Sequence, residues 1–432
     1  MTEARVADYV SRWLTWPSRW ARRAPAIAPG LYHYVRAPDG MPTRFHLRVD
    51  QNGSGVLLAN ATAAARLRPS GVIIAKGLLD REPPEALVAR LRRAYRGADA
   101  AHLAADVEAV RRLIAELEAP GDNYPILNLF EPIAGCGDAL LDKPLSADVP
   151  LGKPAVIEPI LRRLWDLGIP HVTLLVGSEP DEKSAIRAVE LAEDLGMIAG
   201  VRGHGLALAR REFIARLAGA GLDHLDVYCL SCDRGVHDSL AGEGDQEAVI
   251  RAMQAARKNE VCVVATIVLL PQTLPVVERT IEALVARDVS NAAFLAVATA
   301  DPQHAATAVQ ADALFQAARL VEESAERHNV RMIWYPPVRF APDRPLLDQV
   351  FAAPRAAGDH AIRVEWDGTV LAARGPRVAA GNLLADDWEQ IRAGAVWRAY
   401  LRLVESSEHC DACPGLVCRP IDCPRNPARW AE

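Results

Sequence analysis

The sequence predicts an α/β protein in which parallel strands follow a small α+β domain and precede a cysteine-rich C-terminal lobe. Three observations predict this order. Apolar strand-like segments alternate with helical segments over 126–335, a hairpin pattern followed by three amphipathic segments fills 31–118, and four cysteines are grouped in 410–423. Repeated βα units with right-handed crossovers form either a parallel barrel or an open doubly wound sheet.

Composition narrows the class of protein. The chain has 432 residues, half of them hydrophobic, and a formal net charge of −6, which argues against a general nucleic-acid binder. The longest apolar run, 261–270, is about half as long as a membrane helix must be. The N-terminus lacks the pattern of a secretory signal, and the clustered cysteines are typical of metal ligation in a reducing compartment. We therefore expect a cytoplasmic protein without a transmembrane segment.

Residues 1–30 predict an N-terminal aromatic helix. Tyr9, Trp13, Trp16 and Trp20 share one helical face. Three interpretations remain open for this face, namely packing on the protein's own core, a partner interface, or contact with a membrane surface.

Residues 31–118 predict three strands and then three helices. The strands are "LYHYV", "FHLRVD" and "VLLANA", and Asn52-Gly53 is a strong hairpin signal between the second and the third. The helices are expected over 69–79, 83–95 and 101–117. In this arrangement the third strand, 55–60, is an exposed edge. The segment 118–125, "EAPGDNYP", is typical of a linker.

Residues 126–340 predict six parallel strands with helices between them. The strands are "ILNLF", "HVTLLV", "MIAGV", "HLDVYC", "VCVVATIVLL" and "AAFLAVA", and "RMIWY" is a possible seventh. We interpret these strands as continuously apolar, as burial on both faces requires. Ligands of such sheets lie at the carboxyl ends of the strands.

Three stretches in this order resemble the radical S-adenosylmethionine (SAM) enzymes. "VGSEP", with Gly177, Ser178, Glu179 and Pro180, resembles the GGEP loop that holds the amino group of SAM, with serine in place of one glycine. "GVHDSLAGEGDQEAVIRAM" resembles a second family segment. "WDGTVLA", "AGNLLADDWEQI" and "CDACPGLVC", within 341–432, resemble the SPASM extension, which carries auxiliary iron–sulfur clusters. The resemblance implies a (β/α)6 partial barrel.

The segment from "RFHLRVD" to "RLRRAY" is similar to the PqqD-like peptide-recognition domain. The resemblance implies a winged fold that binds the leader of a ribosomally made peptide and presents it to a radical SAM enzyme. Such domains capture peptides by strand addition. Carried over, the edge is 55–60, with a groove beside the third helix.

The barrel lacks the cysteines that the resemblance requires. A radical SAM enzyme holds its [4Fe–4S] cluster with a CxxxCxxC loop after the first strand. The loop here offers Cys136 alone, because Leu140 and Lys143 stand at the later positions, and no other register supplies two thiolates. SAM cleavage by this chain alone is therefore not expected, and SAM should bind poorly.

The C-terminal lobe has its own predicted metal site. Cys410, Cys413, Cys418 and Cys423 can supply four thiolates to one [4Fe–4S] cluster or to a zinc ion. The other SPASM cysteines are replaced, for example in "VLAARGP", so we expect a single site.

These features favour a degenerate, radical-SAM-like scaffold that binds a precursor or leader peptide and associates with an active radical SAM protein. Two alternatives remain, which are a SAM-binding sensor and an enzyme with other chemistry at the strand ends. Cys229 and Cys232 form a CxxC that suits zinc or a dithiol, or else belongs to the core. Cys262 is expected to be structural. The candidate residues of the enzyme are Glu179, Arg202, His204, Cys229, Cys232, Asp233 and His237.

Overall fold

The computed structural model describes residues 27–37, 43–60, 63–95, 97–118, 141–152, 154–210, 212–335, 337–353, 360–372 and 378–405. Several predictions therefore lie outside the described residues. They are the aromatic face within 1–26, the strand "ILNLF", Cys136 and the four C-terminal cysteines. The chain divides into two compact units, 1–142 with 166–168, and 143–165 with 169–432.

The first unit contains a four-stranded antiparallel sheet in the order β1-β2-β3-β4. Gly53, in the turn after β2, has a φ of +82°, which explains the glycine there. The strands are β1 (Gly30–Arg36), β2 (Thr43–Val49), β3 (Gly55–Ala59) and β4 (Ala63–Leu67).

The prediction that 55–60 is a free edge is wrong. β3 pairs with β2 on one side and with β4 on the other. The sequence "AAARL" of β4 lacks the β-branched and aromatic residues that signal a strand, so it was not expected to pair. The two edges of this sheet are β1 and β4.

Three helices lie close to the predicted positions, and the first and third of them pack on this sheet. Val72, Ala75 and Leu79 of the first helix pack with the apolar side chains of β2 and β3. Ile73 and Ile74 pack instead against the next two helices. This helix is therefore the central element of the first unit's core. The helices are α1 (Pro69–Leu79), α2 (Pro84–Ala94) and α3 (Ala100–Glu118).

The second unit is built on six consecutive parallel strands, which confirms the predicted α/β fold. Five of these strands match predicted ones, and "RMIWY" forms a further parallel strand. The strand before "HVTLLV" in the sheet is Ser146–Pro150, which was not predicted. The six are β5 (Ser146–Pro150), β6 (His171–Leu175), β7 (Ile198–Gly203), β8 (His224–Tyr228), β9 (Cys262–Leu269) and β10 (Asn291–Thr299).

Short strands extend this sheet at both ends. Beyond β10, three strands pair with it in parallel, and beyond β5 a parallel strand leads into an antiparallel meander. The predicted hairpin around Asp367-Gly368 is present, with Gly368 at a φ of +85°. The strands are β11 (Val309–Gln310), β12 (Arg331–Trp334), β13 (Val338–Arg339), β14 (Ala361–Val364), β15 (Thr369–Ala372) and β16 (Ala379–Asn382).

Helices connect the strands of the second unit. The helix before β6 has Pro159 inside it, and the helix after β6 begins at the side-chain cap of Asp181. The helices are α4 (Pro154–Asp166), α5 (Glu182–Leu195), α6 (Gly205–Leu208), α7 (Phe213–Gly219), α8 (Arg234–Ala241), α9 (Asp245–Lys258), α10 (Val277–Val285), α11 (Ala311–Arg327), α12 (Leu346–Phe351), α13 (Trp388–Ala393) and α14 (Ala395–Glu405). None of the helices described here is long and apolar enough to cross a membrane.

The two faces of the parallel sheet differ in polarity, which corrects the expectation of continuously apolar strands. Side chains alternate along a strand, so residues two apart share a face. On one face of β5, β6 and β8 the register aligns polar side chains, and on the other it aligns valine, leucine and alanine. We call the polar side the inner face. It carries Ser146, Asp148, His171, Thr173, Arg202, His224, Asp226, Thr266 and Asn291, all buried.

Gly200 on β7 leaves space on the inner face for the ring of His224. A Cβ atom at Gly200 would lie 2.0 Å from Cε1 of His224, a distance that real contacts do not reach. We expect Gly200→Ala to lower the free energy of unfolding by about 1–3 kcal/mol, because the added methyl group would overpack the inner face. Urea unfolding at neutral pH measures the change.

The matched control is Gly219→Ala in α7, where a Cβ atom meets no atom within 4 Å. This change should leave the free energy of unfolding equal or slightly higher, because alanine favours a helix. Equal unfolding free energies for the two variants would contradict the packing of His224 over Gly200.

Candidate functional site

The 177–180 loop follows β6 at the carboxyl edge of the parallel sheet. Gly177, Ser178 and Glu179 are exposed, whereas Pro180 is buried. A Cβ atom at Gly177 would meet nothing within 4 Å. Asp181 fixes the end of the loop because its carboxylate accepts hydrogen bonds from the backbone of Lys183 and Ser184. The loop therefore presents an accessible backbone and one carboxylate.

The connection after β5 is short and contains no cysteine. Leu151 N donates a hydrogen bond to Leu175 O over 2.8 Å, which continues the ladder to β6. Residues 151–153 are Leu-Gly-Lys, and α4 begins at Pro154. Among the described residues, this strand end therefore offers no thiolate for an iron–sulfur cluster.

Arg202 lies on the inner face, in contact with Asp148. Its Nη2 atom is 3.1 Å from Oδ2 of Asp148, and both side chains are buried. The pair reaches from β7 to β5 across β6. A buried charge that has its counterion is held firmly, because separating the two would leave each one desolvated. Arg202 is thus a structural ion pair rather than an exposed anion-binding group.

His204 follows β7 and lies in an aromatic cluster with Tyr228 and Phe351. The His204 ring centroid is 3.7 Å from that of Phe351, and the Tyr228 centroid is 4.8 Å from it. Burial lowers the pKa of His204, although the charge of Asp245 opposes this. His204 is therefore held as a neutral, half-buried imidazole.

Phe351 is held in place by the rest of α12. The buried amide of Gln349 accepts a hydrogen bond from Ala341 N and donates to the carbonyl oxygens of Ala341 and Arg344, each over 2.9 Å. These bonds tie the helix to the loop before it. The aromatic cluster is thus a fixed cover over the ends of β7 and β8.

The CxxC after β8 does not have the properties of a reactive dithiol. Cys229 is buried, and burial raises its pKa to about 12, with the nearby Cys232 adding to the effect. Both are free thiols. The raised pKa keeps Cys229 protonated, and nucleophilic attack requires the thiolate. Within the described ranges, no three His, Cys, Asp or Glu side chains are arranged to hold a metal ion.

Asp233 and His237 stabilise the loop after β8. Asp233 caps α8 by accepting from Val236 N. His237 is fully buried, with Nε2 3.0 Å from Oδ2 of Asp245 and Nδ1 3.2 Å from the Ser231 carbonyl oxygen. The charge of Asp245 also acts on His204 and Cys229, so three of the seven candidates of the enzyme hypothesis lie near one carboxylate.

The inner face contains a linked chain of three side chains that the sequence did not single out. Nε2 of His171 lies 2.8 Å from Nε2 of His224, and Nδ1 of His224 lies 2.8 Å from Oδ1 of Asp226. If His224 donates through Nδ1 to the carboxylate, its Nε2 accepts from His171. The ring of His224 reaches His171 over Gly200.

The sequence pattern of β6 and β8 indicates these polar residues. In "HVTLL" and "HLDVY" the polar residues occupy every second position, which is the period of a strand with one polar face. Three hydroxyls on the same face, those of Ser146, Thr173 and Thr266, have no hydrogen-bond partner within the described part of the chain. The inner face is thus polar, closed and incompletely hydrogen-bonded.

Solved structures with the same fold include SuiB of Streptococcus suis. SuiB bound to S-adenosylmethionine aligns with a TM-score of 0.53 and 11% identity, over 90% of this chain and 93% of that chain. SuiB bound to precursor peptide SuiA aligns with a TM-score of 0.51 and 12% identity, over 85% and 90% of the two chains. No family model and no curated protein matches this sequence. At these identities the similarity establishes the fold.

The packing of Phe351 on His204 predicts a change in titration. We expect Phe351→Ala to raise the pKa of His204 towards the ordinary histidine value of about 6.5, because removing the ring readmits water. NMR titration of the His204 ring measures the pKa. Phe315→Ala, at an exposed position on α11, is the control and should leave His204 unchanged. An unchanged pKa in the Phe351 variant would mean that this ring does not desolvate His204.

Proposed function

We propose that this chain is a peptide-binding scaffold with a radical-SAM-like fold that does not cleave SAM by itself. It would hold a precursor or leader peptide and act with an active radical SAM protein in peptide modification or in the biosynthesis of a peptide-derived cofactor. The observation that carries the proposal is the cysteine-free connection after β5, in a fold shared with a protein solved with SAM and with a precursor peptide.

The count of available thiolates supports this proposal. A cubane that chelates SAM takes three cysteines from one loop. The 151–153 connection has none, and 126–140 has Cys136 alone. Cys229 and Cys262 lie on other strands, after β8 and at the start of β9, and burial raises the pKa of each to about 12.

The C-terminal cysteines suit a different role. Cys410, Cys413, Cys418 and Cys423 complete a four-thiolate set, which leaves no open coordination position for SAM. We propose one [4Fe–4S] cluster there, with zinc as the alternative. A closed site of this kind stabilises the local fold or relays electrons.

The edge strand β1 is the best-supported position for the peptide. A PqqD-like domain would add the peptide beside its third helix, and in this unit α3 reaches β1. Arg36 Nε on β1 is 2.7 Å from Oε1 of Glu118 at the end of α3. Tyr32 and Tyr34 pack on the same core as Val110 of α3. In this proposal, the strand-addition edge predicted at 55–60 is thus replaced by β1, beside α3.

Backbone groups on the outer side of β1 are suited to strand addition. In an antiparallel pair, the residues of a strand alternate between hydrogen bonding to the partner and facing away. Asn60 N donates a hydrogen bond to Arg44 O, so the backbone groups of Arg44 face β3 and not β1. Val35 is paired with Arg44 in the register of β1 and β2. The N–H of Val35 therefore faces away from β2, on the outer side of β1. The Val35 side chain is 55% exposed. An extended peptide can therefore pair with β1 as a fifth strand.

The exposed 177–180 loop favours one second candidate, a sensor that binds SAM without cleaving it. Its open backbone and Glu179 are available to an amino group. Without a cluster the SAM carboxylate lacks its anchor, so binding should be weak. Calorimetry with SAM tests this candidate separately from peptide capture.

We expect the anaerobically reconstituted, reduced full-length protein to form no 5′-deoxyadenosine from SAM above a protein-free control. The reason is the missing cluster loop. Chromatography of the reaction products measures the nucleoside, and an active radical SAM enzyme in the same buffer serves as the positive control. Catalytic release of 5′-deoxyadenosine would overturn the scaffold proposal. Iron analysis of the same sample should give about four irons per chain or fewer, since one cubane holds four.

We expect Val35→Pro to weaken peptide binding, because proline removes the outward backbone donor of β1. Val35→Ala keeps this donor and should bind as the native protein does. The probe is a fluorescently labelled precursor peptide encoded beside this gene, titrated into the full chain and followed by anisotropy.

Arg66→Pro on β4 distinguishes the two edges of the sheet. The same alternation places the Arg66 N–H on the outer side of β4. If Arg66→Pro weakens binding and Val35→Pro does not, the peptide pairs with β4 and the assignment to β1 is wrong. Equal binding by all three variants would place recognition away from this sheet.

A further inference from the structure

We infer that β1 also joins two copies of this chain, whose β1 strands pair antiparallel about a twofold axis at His33. The four-stranded sheets of the two copies then form one continuous sheet. This inference goes beyond the proposed function and does not depend on it, because the pairing needs neither a peptide nor SAM. A bound peptide and a second copy use the same outward groups of β1, so they exclude each other.

β1 has the properties of an unprotected sheet edge. It is the outermost of the four strands and, among the described residues, it pairs with β2 alone. Its seven residues, "GLYHYVR", include no proline and no lysine, which natural proteins use to protect exposed edges, and its one charged residue is the last. The register with β2 is continuous, so no bulge twists the edge away. Such an edge is a template for another strand.

The outward backbone groups of β1 are symmetrical about His33. The N–H of Val35 faces away from β2, and in an antiparallel pair this orientation recurs at every second residue, at His33 and Leu31. About a twofold axis at His33, Leu31 of one copy lies opposite Val35 of the other, and His33 lies opposite itself. Each of these pairs exchanges two hydrogen bonds. Any other centre would leave Leu31 or Val35 opposite a residue beyond the end of β1.

The aromatic side chains of β1 are complementary in the same register. Tyr32 and Tyr34 pack on the core of the first unit, on the helix side of the sheet. The twofold axis places Tyr32 of one copy opposite Tyr34 of the other, and such cross-strand aromatic pairs stabilise an antiparallel sheet. Tyr32 Oη already donates to Ala28 O over 2.9 Å, and Tyr34 Oη donates to Oδ1 of Asp80 over 2.8 Å. Covering the two rings therefore leaves neither hydroxyl without a partner.

The charged side chains beside β1 are compensated within each copy. Arg36 Nε is 2.7 Å from Oε1 of Glu118, and Lys76 Nζ is 2.7 Å from Oδ2 of Asp80. Burial lowers the pKa of His33, so the two facing imidazoles are neutral at pH 7. Like charges directly opposite each other destabilise a strand pair, and this register brings none together along β1.

The first test measures the mass of the full-length protein by analytical ultracentrifugation, without peptide. We expect native protein to change from monomer to dimer over about a hundredfold range of concentration, as mass action requires. Val35→Pro removes an outward donor from each copy and should weaken dimerisation by about tenfold or more.

Arg66→Pro, at an outward-facing position of β4, is the matched control and should dimerise as native protein does. Native protein that remains monomeric over the whole range would overturn the inference. So would a dimer that Arg66→Pro weakens and Val35→Pro does not, because that dimer would form through β4.

A second test examines the register by disulfide formation. The Cα atoms of a hydrogen-bonded antiparallel pair lie about 5.5 Å apart, within the range of a disulfide. His33→Cys should therefore form a covalent dimer with oxidised glutathione, because residue 33 lies opposite itself. Val35→Cys should not, because the residue opposite it is Leu31.

Native protein under the same oxidation is the control, since the chain has eight cysteines of its own. A non-reducing gel measures the covalent dimer. Equal cross-linking of the His33→Cys and Val35→Cys variants, or none above the native level in either, would overturn the twofold pairing at His33.

Discussion

The register of the parallel strands is the constraint on which the second unit depends. Ser146 is paired with His171, and Gly200 with His224, so every polar side chain of β5–β8 falls on one face. A slip of one residue would turn these side chains towards the helices and bring valine and leucine inward. The Arg202–Asp148 pair and the His171–His224 contact both cross an intervening strand, so they form in this register alone.

Much of this fold could be predicted because helices and buried strands leave strong local signals. α1 has the predicted bounds, and five of the six parallel strands match predicted segments. The inner face could not be recognised once the strands were interpreted as continuously apolar. Burial on both faces does not require both to be apolar, since a buried polar residue is stable when its partners are present. His224 and Asp226 are such residues, and their partners lie on other strands, where a local pattern does not reveal them.

The edge of the first sheet could not be predicted for a related reason. β4 consists of "AAARL", whose residues have little intrinsic preference for strands. It forms a strand because β3 would otherwise expose a row of backbone donors and acceptors. Whether a strand is an edge thus depends on its neighbour rather than on its own sequence. β1 is an edge with exposed backbone, and the ion pair of Arg36 with Glu118 ties it to α3.

In the second unit, the partners and the burial of a side chain distinguish groups that could catalyse a reaction from groups that could only bind a ligand. A catalytic acid, base or nucleophile must reach its substrate and change its protonation state. Arg202, Asp233 and His237 each have a structural partner, and the buried thiol of Cys229 is neutral. Within the described ranges, the backbone and the Glu179 carboxylate of the 177–180 loop are exposed. The exposed 177–180 loop and the cysteine-free sequence after β5 are the observations on which the scaffold proposal rests.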